Sequence, residues 1–259
     1  MPWKRRARWA SLAVVIAVGL YACVVEPRWV EVTHPTLHAP VTSKLRVMHL
    51  TDLHGGSPGS VEEDILRAVE REKPDLIVLT GDTCDRGTFA AYRPFLERLH
   101  APLGVFAVQG NWEHWRPAAD EVATYEAANI WLLVNEAQRL RDDLWIVGFD
   151  DAIGGVPNVA KALSRVPPGV ATIGLMHSPE LFDRVAGRVS IAFAGHTHGG
   201  QVRAPFLGPL WLPQGSGAYV AGTYEAGGSS LYVSRGVGTS VFPVRFLCRP
   251  EIAVVDVGP

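Results

Sequence analysis

Short clusters of Asp, His and Asn stand in a fixed order along this chain, most of them just past an apolar, β-rich run. They read Asp52-Leu-His54, Gly81-Asp82-Thr-Cys-Asp85, Gly110-Asn111, a lone His177, and Gly195-His196-Thr-His198. The first three runs, 45–51, 76–80 and 105–109, alternate with helically spaced segments at 61–72, 89–100 and 118–128. Strands alternating with helices make a mainly parallel sheet, which lines up all its carboxyl ends on one edge. Ligands in open α/β sheets gather beyond that edge. An α/β fold of this kind would therefore bring the clusters together.

The second half predicts short strands at 130–134, 144–149, 172–176, 191–194, 231–234 and 252–257, with a turn at 141–143 and a short helix at 159–165. Residues 199–230 are rich in Gly and Pro without helical period, which reads as a long functional loop or a β-meander.

The residue types suit divalent cations. Asp52 and His54 are two apart, so in extended chain both point the same way and can offer one oxygen and one nitrogen to one ion. Asp82, ending a strand, can bridge two ions with its two oxygens. Asp85 lies three residues on, where it could hold the loop or a ligand. Asn111 offers a neutral, hard oxygen, and His177, His196 and His198 add imidazoles. Carboxylate, amide and imidazole together favour Mn, Fe, Zn or Co over Ca or Mg alone. Taken singly, each has a plainer reading: a solvated turn for 52–54, a helix N-cap for Asp82, a turn residue for Asn111, a structural His elsewhere. His34, His38, His49 and His100 fit no pattern. A two-metal centre would serve in-line displacement at phosphorus.

The N-terminus is distinct. Lys4, Arg5, Arg6 and Arg8 precede an apolar run from Ala10 to Val25, with Trp3, Trp9, Tyr21 and Trp29 near its ends. Length and flanking charge favour a retained single-pass anchor over 1–29, with the basic end in the cytoplasm and the body outside. A cleaved signal peptide is the second reading, and a buried core helix the third. Residues 26–44 carry Pro27, Pro35 and Pro40, and 30–44 read as a linker or an opening edge strand, leaving 45–259 as the main domain. The net charge of −2 gives no basic field for nucleic acid. The three Cys lack any paired spacing and read as unpaired, with a Cys84–Cys248 bridge as the alternative.

The five clusters together resemble the calcineurin-like metallophosphoesterases, whose motif order is Asp-x-His, Gly-Asp-x-x-Asp, Gly-Asn-His-Asp/Glu, His and Gly-His-x-His. The resemblance covers roughly residues 45–257. Gly195-His-Thr-His-Gly-Gly-Gln201, Ser234-Arg-Gly-Val-Gly238 and Arg249-Pro-Glu251 are similar to a bacterial branch with an N-terminal membrane segment or export signal. That branch includes a UDP-diacylglucosamine pyrophosphatase. The resemblance implies an αββα sandwich and two divalent ions (Mn, Zn or Fe). Asp52, His54, Asp82 and His198 would hold one, and Asp82, Asn111, His177 and His196 the other, with a bridging hydroxide between them. It implies hydrolysis of a phosphodiester or diphosphate, lipid-linked or nucleotide-sugar in kind, by a monomer at a bacterial inner membrane; phosphomonoesters are the rival substrate, and metal binding with weakened catalysis is the rival role.

One position departs from the family. His follows Asn in the motif and assists the leaving group; here Trp112 stands there, in Asn111-Trp-Glu-His114. Indole donates one hydrogen bond but shuttles no proton. Either His114 reaches the same spot, making Asp82, Asn111 and His114 the catalytic group, or the substrate leaves without an acid, as a diphosphate can. The apolar stretch 204–213 reads either as core packing or as a lip for a membrane substrate.

Overall fold

The runs Leu45–Leu50, Leu76–Thr80 and Val105–Val108 carry apolar side chains on both sides of the backbone, so each is stable only with both faces covered. In the computed structural model, which describes residues 2–259, they form three adjacent parallel strands. In chain order the strands are β1 (Glu31–Thr33), β2 (Thr36–His38), β3 (Leu45–Leu50), β4 (Leu76–Thr80), β5 (Val105–Val108), β6 (Ile130–Leu132), β7 (Glu136–Arg141), β8 (Leu144–Gly148), β9 (Ala171–Leu175), β10 (Ile191–Ala194), β11 (Arg203–Ala204), β12 (Gly208–Pro209), β13 (Gly222–Ala226), β14 (Ser229–Val233) and β15 (Glu251–Gly258). The α-helices are α1 (Pro2–Leu20), α2 (Ser60–Glu72), α3 (Phe89–Leu96), α4 (Asn111–Trp115), α5 (Glu121–Ala127), α6 (Val159–Leu163) and α7 (Phe182–Val185).

One sheet runs β1-β15-β3-β4-β5-β6, with β2 also on β15; the second runs β13-β14-β10-β9-β8-β7. Val47, Val78, Phe106 and Val108 of the first meet Ile146, Ile173, Leu175 and Phe193 of the second in a shared apolar layer. Helices α2, α3 and α5 cover the outer face of the first sheet through Ile65, Phe89, Tyr92, Phe95 and Tyr125. Helices α6 and α7 cover the second through Val159, Ala162, Phe182 and Val185. The architecture is the expected αββα sandwich with an apolar N-terminal helix.

The structure adds a strand that the sequence reading lacks and decides between the alternatives left open at 30–44 and 199–230. Strand β7, Glu-Ala-Gln-Arg-Leu-Arg, is a largely polar edge strand with no fully buried residue, so it lacks a strong apolar signal. Residues 30–44 are not a free spacer, because β1 and β2 both pair in parallel with β15. The packed body reaches back further still: Ala22 is buried, and the buried Glu26 carboxylate accepts the Leu247 N–H at 3.0 Å. Residues 199–230 carry the small β11–β12 hairpin and β13, closer to a meander than a bare loop. Cys23, Cys84 and Cys248 are all free.

His49 lies wholly buried between the sheets, its Nε2 2.7 Å from Thr80 Oγ1 and its Nδ1 without a partner among the described residues. Burial holds its imidazole at about 3, so the folded state keeps it neutral where the unfolded chain protonates it. This contribution to stability is complete above pH 6.5 and is lost as pH falls from there toward 3, at up to about 1.4 kcal/mol per pH unit. Urea midpoints measured from pH 7 to pH 4 should therefore fall more steeply for the parent than for His49→Gln. Parallel curves would show that His49 is not the group that titrates.

Candidate metal centre

Asp52, Asp82 and Asn111 lie two or three residues past the ends of β3, β4 and β5; His177 and the His196–His198 turn lie just past β9 and β10 of the facing sheet. The two sheets meet at these ends. His196 N–H donates across the gap to the Asp52 carboxylate at 2.9 Å, and His177 Nδ1 lies 2.7 Å from the Thr80 carbonyl. The backbone is bent hard to aim the side chains. Asp52, His54, Asp82, His196 and His198 all have positive φ, between 46° and 70°. Each such non-glycine residue costs roughly 1–3 kcal/mol and persists only where its surroundings fix it. Glycine makes the approach possible: a Cβ on Gly195 would overlap Thr51 and the Asp52 carboxylate, and one on Gly110 would overlap Asp82.

Two groups of donors result: Asp52, His54 and His198, and Asp82, His177 and His196. In the first, His54 Nε2 is 3.1 Å from His198 Nε2, which is 3.3 Å from Asp52 Oδ1. In the second, His177 Nε2 is 3.1 Å from both Asn111 Oδ1 and His196 Nδ1, and 3.2 Å from Asp82 Oδ2. Asp82 Oδ2 also lies 3.7 Å from His54 Nε2, so one oxygen faces both groups. Its Oδ1 is held by the Trp112 N–H at 2.9 Å.

The remaining nitrogens fix the tautomers. His54 Nδ1 donates to Asp85 Oδ2 (3.0 Å), His177 Nδ1 to the Thr80 carbonyl, and His196 Nε2 to the Gln214 carbonyl (2.6 Å). A ligating His characteristically donates its other N–H in this way. When these imidazoles are neutral, the inward atoms of His54, His177 and His196 carry lone pairs and no hydrogens, the form in which imidazole ligates a cation. The donor set therefore fits two divalent ions. His198 alone runs against this, since the Arg245 guanidinium lies 3.5 Å from its Nδ1 and favours a proton on Nε2.

The charges agree. Burial alone would raise Asp82, but His177, then His54 and the Trp112 N–H, outweigh it and hold the carboxyl at about 2. Burial alone would lower His177, and Asp82 and Asp52 instead lift it well above its ordinary value. His54 is likewise raised against burial, by Asp85, Asp82 and Asp52. Burial, then His54 and Arg245, holds His198 well below its ordinary value. Carboxylates drawing protons onto buried imidazoles mark a site short of positive charge.

The structure brings together Asp52, His54, Asp82, Asn111, His177, His196 and His198, with Asp85 behind His54. It does not bring His114 with them: its Nε2 lies 2.7 Å from Asp150 Oδ1. Trp112 lines the cleft instead. Sequence reasoning missed Glu113. Its buried carboxylate accepts the N–H groups of Gly110 (2.8 Å), Asp82 (2.9 Å) and Thr83 (2.7 Å), locking the β4 and β5 loops together. The signal was present as a capping box, with Glu three residues past Gly110.

Residues 45–200 match the calcineurin-like phosphoesterase family. The chain belongs to that family. It is 31% identical over 253 residues to the uncharacterised metallophosphoesterase YkuE of Bacillus subtilis, covering 90% of this chain and 87% of the relative. It is 30% identical over 263 residues to the phosphodiesterase YaeI of Escherichia coli, covering 95% of each. It is 29% identical to a transmembrane protein with a metallophosphoesterase domain from Bos taurus, covering 92% of this chain and 59% of that one. This metallophosphoesterase is thus a hydrolase whose fold edge presents two clusters of metal donors. Beside them opens a cleft of about 460 Å³, walled by Trp112, Trp115, Leu210, Trp211, Val241 and Phe242.

Proposed function

We propose that this metallophosphoesterase hydrolyses phosphodiester or diphosphate bonds at a dinuclear centre. Asp52, His54, Asp82 and His198 hold one ion, and Asp82, Asn111, His177 and His196 the other. The observation that carries this is the single Asp82 oxygen facing both donor groups. When bound, two divalent ions supply Lewis-acid charge at the phosphoryl oxygens and acidify the attacking water. The chain's own groups position that chemistry. Asp85 orients His54, the Gln214 carbonyl orients His196, and Glu113 fixes the loops that carry Asp82 and Asn111. Nitrogen and oxygen donors together suit Mn, Fe or Zn.

Trp112 sets the substrate class. It stands where the family has His, and His114 is taken by Asp150, so the leaving group departs without a proton donor from this loop. Phosphate or an aryloxide can leave in this way; an alkoxide does so about 10²–10⁴-fold less readily. The largely apolar cleft wall favours an amphiphilic, lipid-linked diester or nucleotide-sugar diphosphate. Helix α1 would hold the enzyme in a bacterial inner membrane by a single pass, with the body outside, as Lys4, Arg5, Arg6 and Arg8 direct.

The test is a panel of a bis-aryl phosphate, a nucleotide diphosphate ester and an alkyl phosphomonoester, each with Mn²⁺, Zn²⁺ and Fe²⁺. Turnover of the first two should exceed that of the third by about 10²-fold. Faster cleavage of the alkyl monoester would make the enzyme a phosphomonoesterase.

A further inference from the structure

The apolar surface around the cleft extends beyond its walls. Phe206, Leu207, Leu210, Trp211, Val241 and Phe242 are all exposed, most of them by more than two thirds of their area. Single exposed apolar side chains are ordinary, but a contiguous set marks something that covers it. Four of the six, Leu210, Trp211, Val241 and Phe242, also wall the metal cleft, while Phe206 and Leu207 sit at the tip of the β11–β12 hairpin outside it.

What covers this rim is indicated by where α1 joins the body. The stretch Trp3–Arg28 holds an 18-residue window apolar enough to cross a membrane, with a mean hydropathy of 2.0, and that window is almost wholly exposed. Its inner end is not on a tether. The Ala22 carbonyl accepts the Arg245 N–H at 2.9 Å, and Tyr21 packs edge-on against Phe246, ring centres 6.3 Å apart. Glu26 grips the N–H groups of Leu247 and Cys248.

Phe246 is also the residue that ties down the rim. It donates to the Gln201 carbonyl (3.0 Å) and accepts the Arg203 N–H (2.9 Å). Arg203 opens the hairpin, so its tip at Phe206 is only three residues, roughly 10 Å of extended chain, beyond that contact. The Gln201 amide reaches the other way, donating to the Ser240 and Phe242 carbonyls at 3.1 Å each. Both halves of the rim thus hang from the residues on which the helix is seated. Trp29, half exposed with the Arg249 guanidinium 4.3 Å from its ring centre, completes the junction as an amphipathic pair of the kind found at membrane interfaces.

We infer that this apolar rim rests in the bilayer face from which α1 emerges, so that the metal cleft opens at headgroup level. The occupant is the lipid bilayer itself. The inference rests on the reading of α1 as a membrane-spanning segment, and it deepens the proposed function by making the membrane the source of the substrate. Interfacial apolar faces lie about 5–10 Å into the headgroup and acyl boundary.

The experiment uses the full chain in nanodiscs of phosphatidylcholine and phosphatidylglycerol, some lipids carrying a doxyl quencher near the headgroup end of the acyl chain. An environment-sensitive fluorophore is placed by Phe206→Cys in a Cys23→Ser background, since the other two cysteines are buried. A second protein carries it by Asp142→Cys, in the exposed turn before β8 at the opposite strand ends. The Phe206 label should lose most of its emission to the doxyl lipid and the Asp142 label almost none. Equal emission from the two would overturn the docking. So would a Phe206 label shielded from both lipid quencher and aqueous iodide in discs holding two chains, which would assign the rim to a second copy. Hydrolysis of a soluble bis-aryl phosphate is measured on the same proteins and should be unchanged by Phe206→Cys. Its absence from every protein would overturn the phosphoesterase reading while the quenching result stood.

Discussion

Asp82→Asn is expected to lower hydrolysis of a bis-aryl phosphate by about 10³-fold or more, roughly 4 kcal/mol in the barrier. The reason is geometric. Asp82 Oδ1 is occupied by the Trp112 N–H, which leaves Oδ2 as the one oxygen of this side chain that faces both His177 and His54. Asparagine preserves the first contact through its own oxygen and turns an NH₂ toward the second position. Those hydrogens point where a shared cation would sit. The fold should survive, because Asn tolerates the left-handed conformation at φ 51° at least as well as Asp. It also removes one buried negative charge beside Glu113, whose carboxyl is raised first by burial and then by Asp82. The check is bound metal per chain, thermal melting without added metal, and turnover with Mn²⁺. Metal content equal to the parent's and activity within tenfold of it would remove Asp82 from the shared position.

Trp112→His should do the reverse for a selected substrate. On an alkyl phosphodiester, whose leaving group needs a proton, the rate should rise by about 10²-fold; on the bis-aryl ester it should change little. The backbone N–H that holds Asp82 is kept, and the indole sits at the cleft wall edge-on to His54, 5.9 Å between ring centres. An imidazole placed there reaches the space beside the donor groups with a proton it can give up. The gain should carry a pH signature. It is present while the new imidazole is protonated and fades as pH rises through about 6.5, its ordinary value. A variant equally slow on both esters would mean that Trp112 serves the cleft by packing, with the Arg116 guanidinium 5.0 Å from its ring centre as part of that packing.

The contrast between these two positions reflects how much of the site could be read from the chain. Asp82 announces itself: it follows four buried apolar residues, Thr80 and a glycine, and its spacing to the other clusters is that of its family. Trp112 announces only that a His is missing. That His114 pairs with Asp150 could not be read from the chain, because Asp150 lies 36 residues away, just past β8. Glu113 is similar. A capping pattern was legible, yet its larger duty is to Asp82 and Thr83, on a loop that only the pairing of β4 with β5 brings beside it. The edge strand β7 left no periodic trace, because a strand that buries no residue fully need not alternate.

The sequence by itself determined the alternation of buried strands and amphipathic helices, and with it a fold edge where Asp52, Asp82 and Asn111 must gather. Apolar patterning is a local property, and parallel pairing turns it into a shared edge without further instruction. It also determined the ligand chemistry, since residue type is written in the chain. Only the tertiary structure decided that the second sheet's edge closes on the first, because His177 meets Asn111 from 66 residues away and His196 meets Asp52 from 144. It decided too that the apolar N-terminal helix is seated at Phe246 beside the cleft rim. Contacts of that range depend on how two sheets stack, and no short window of sequence contains both partners.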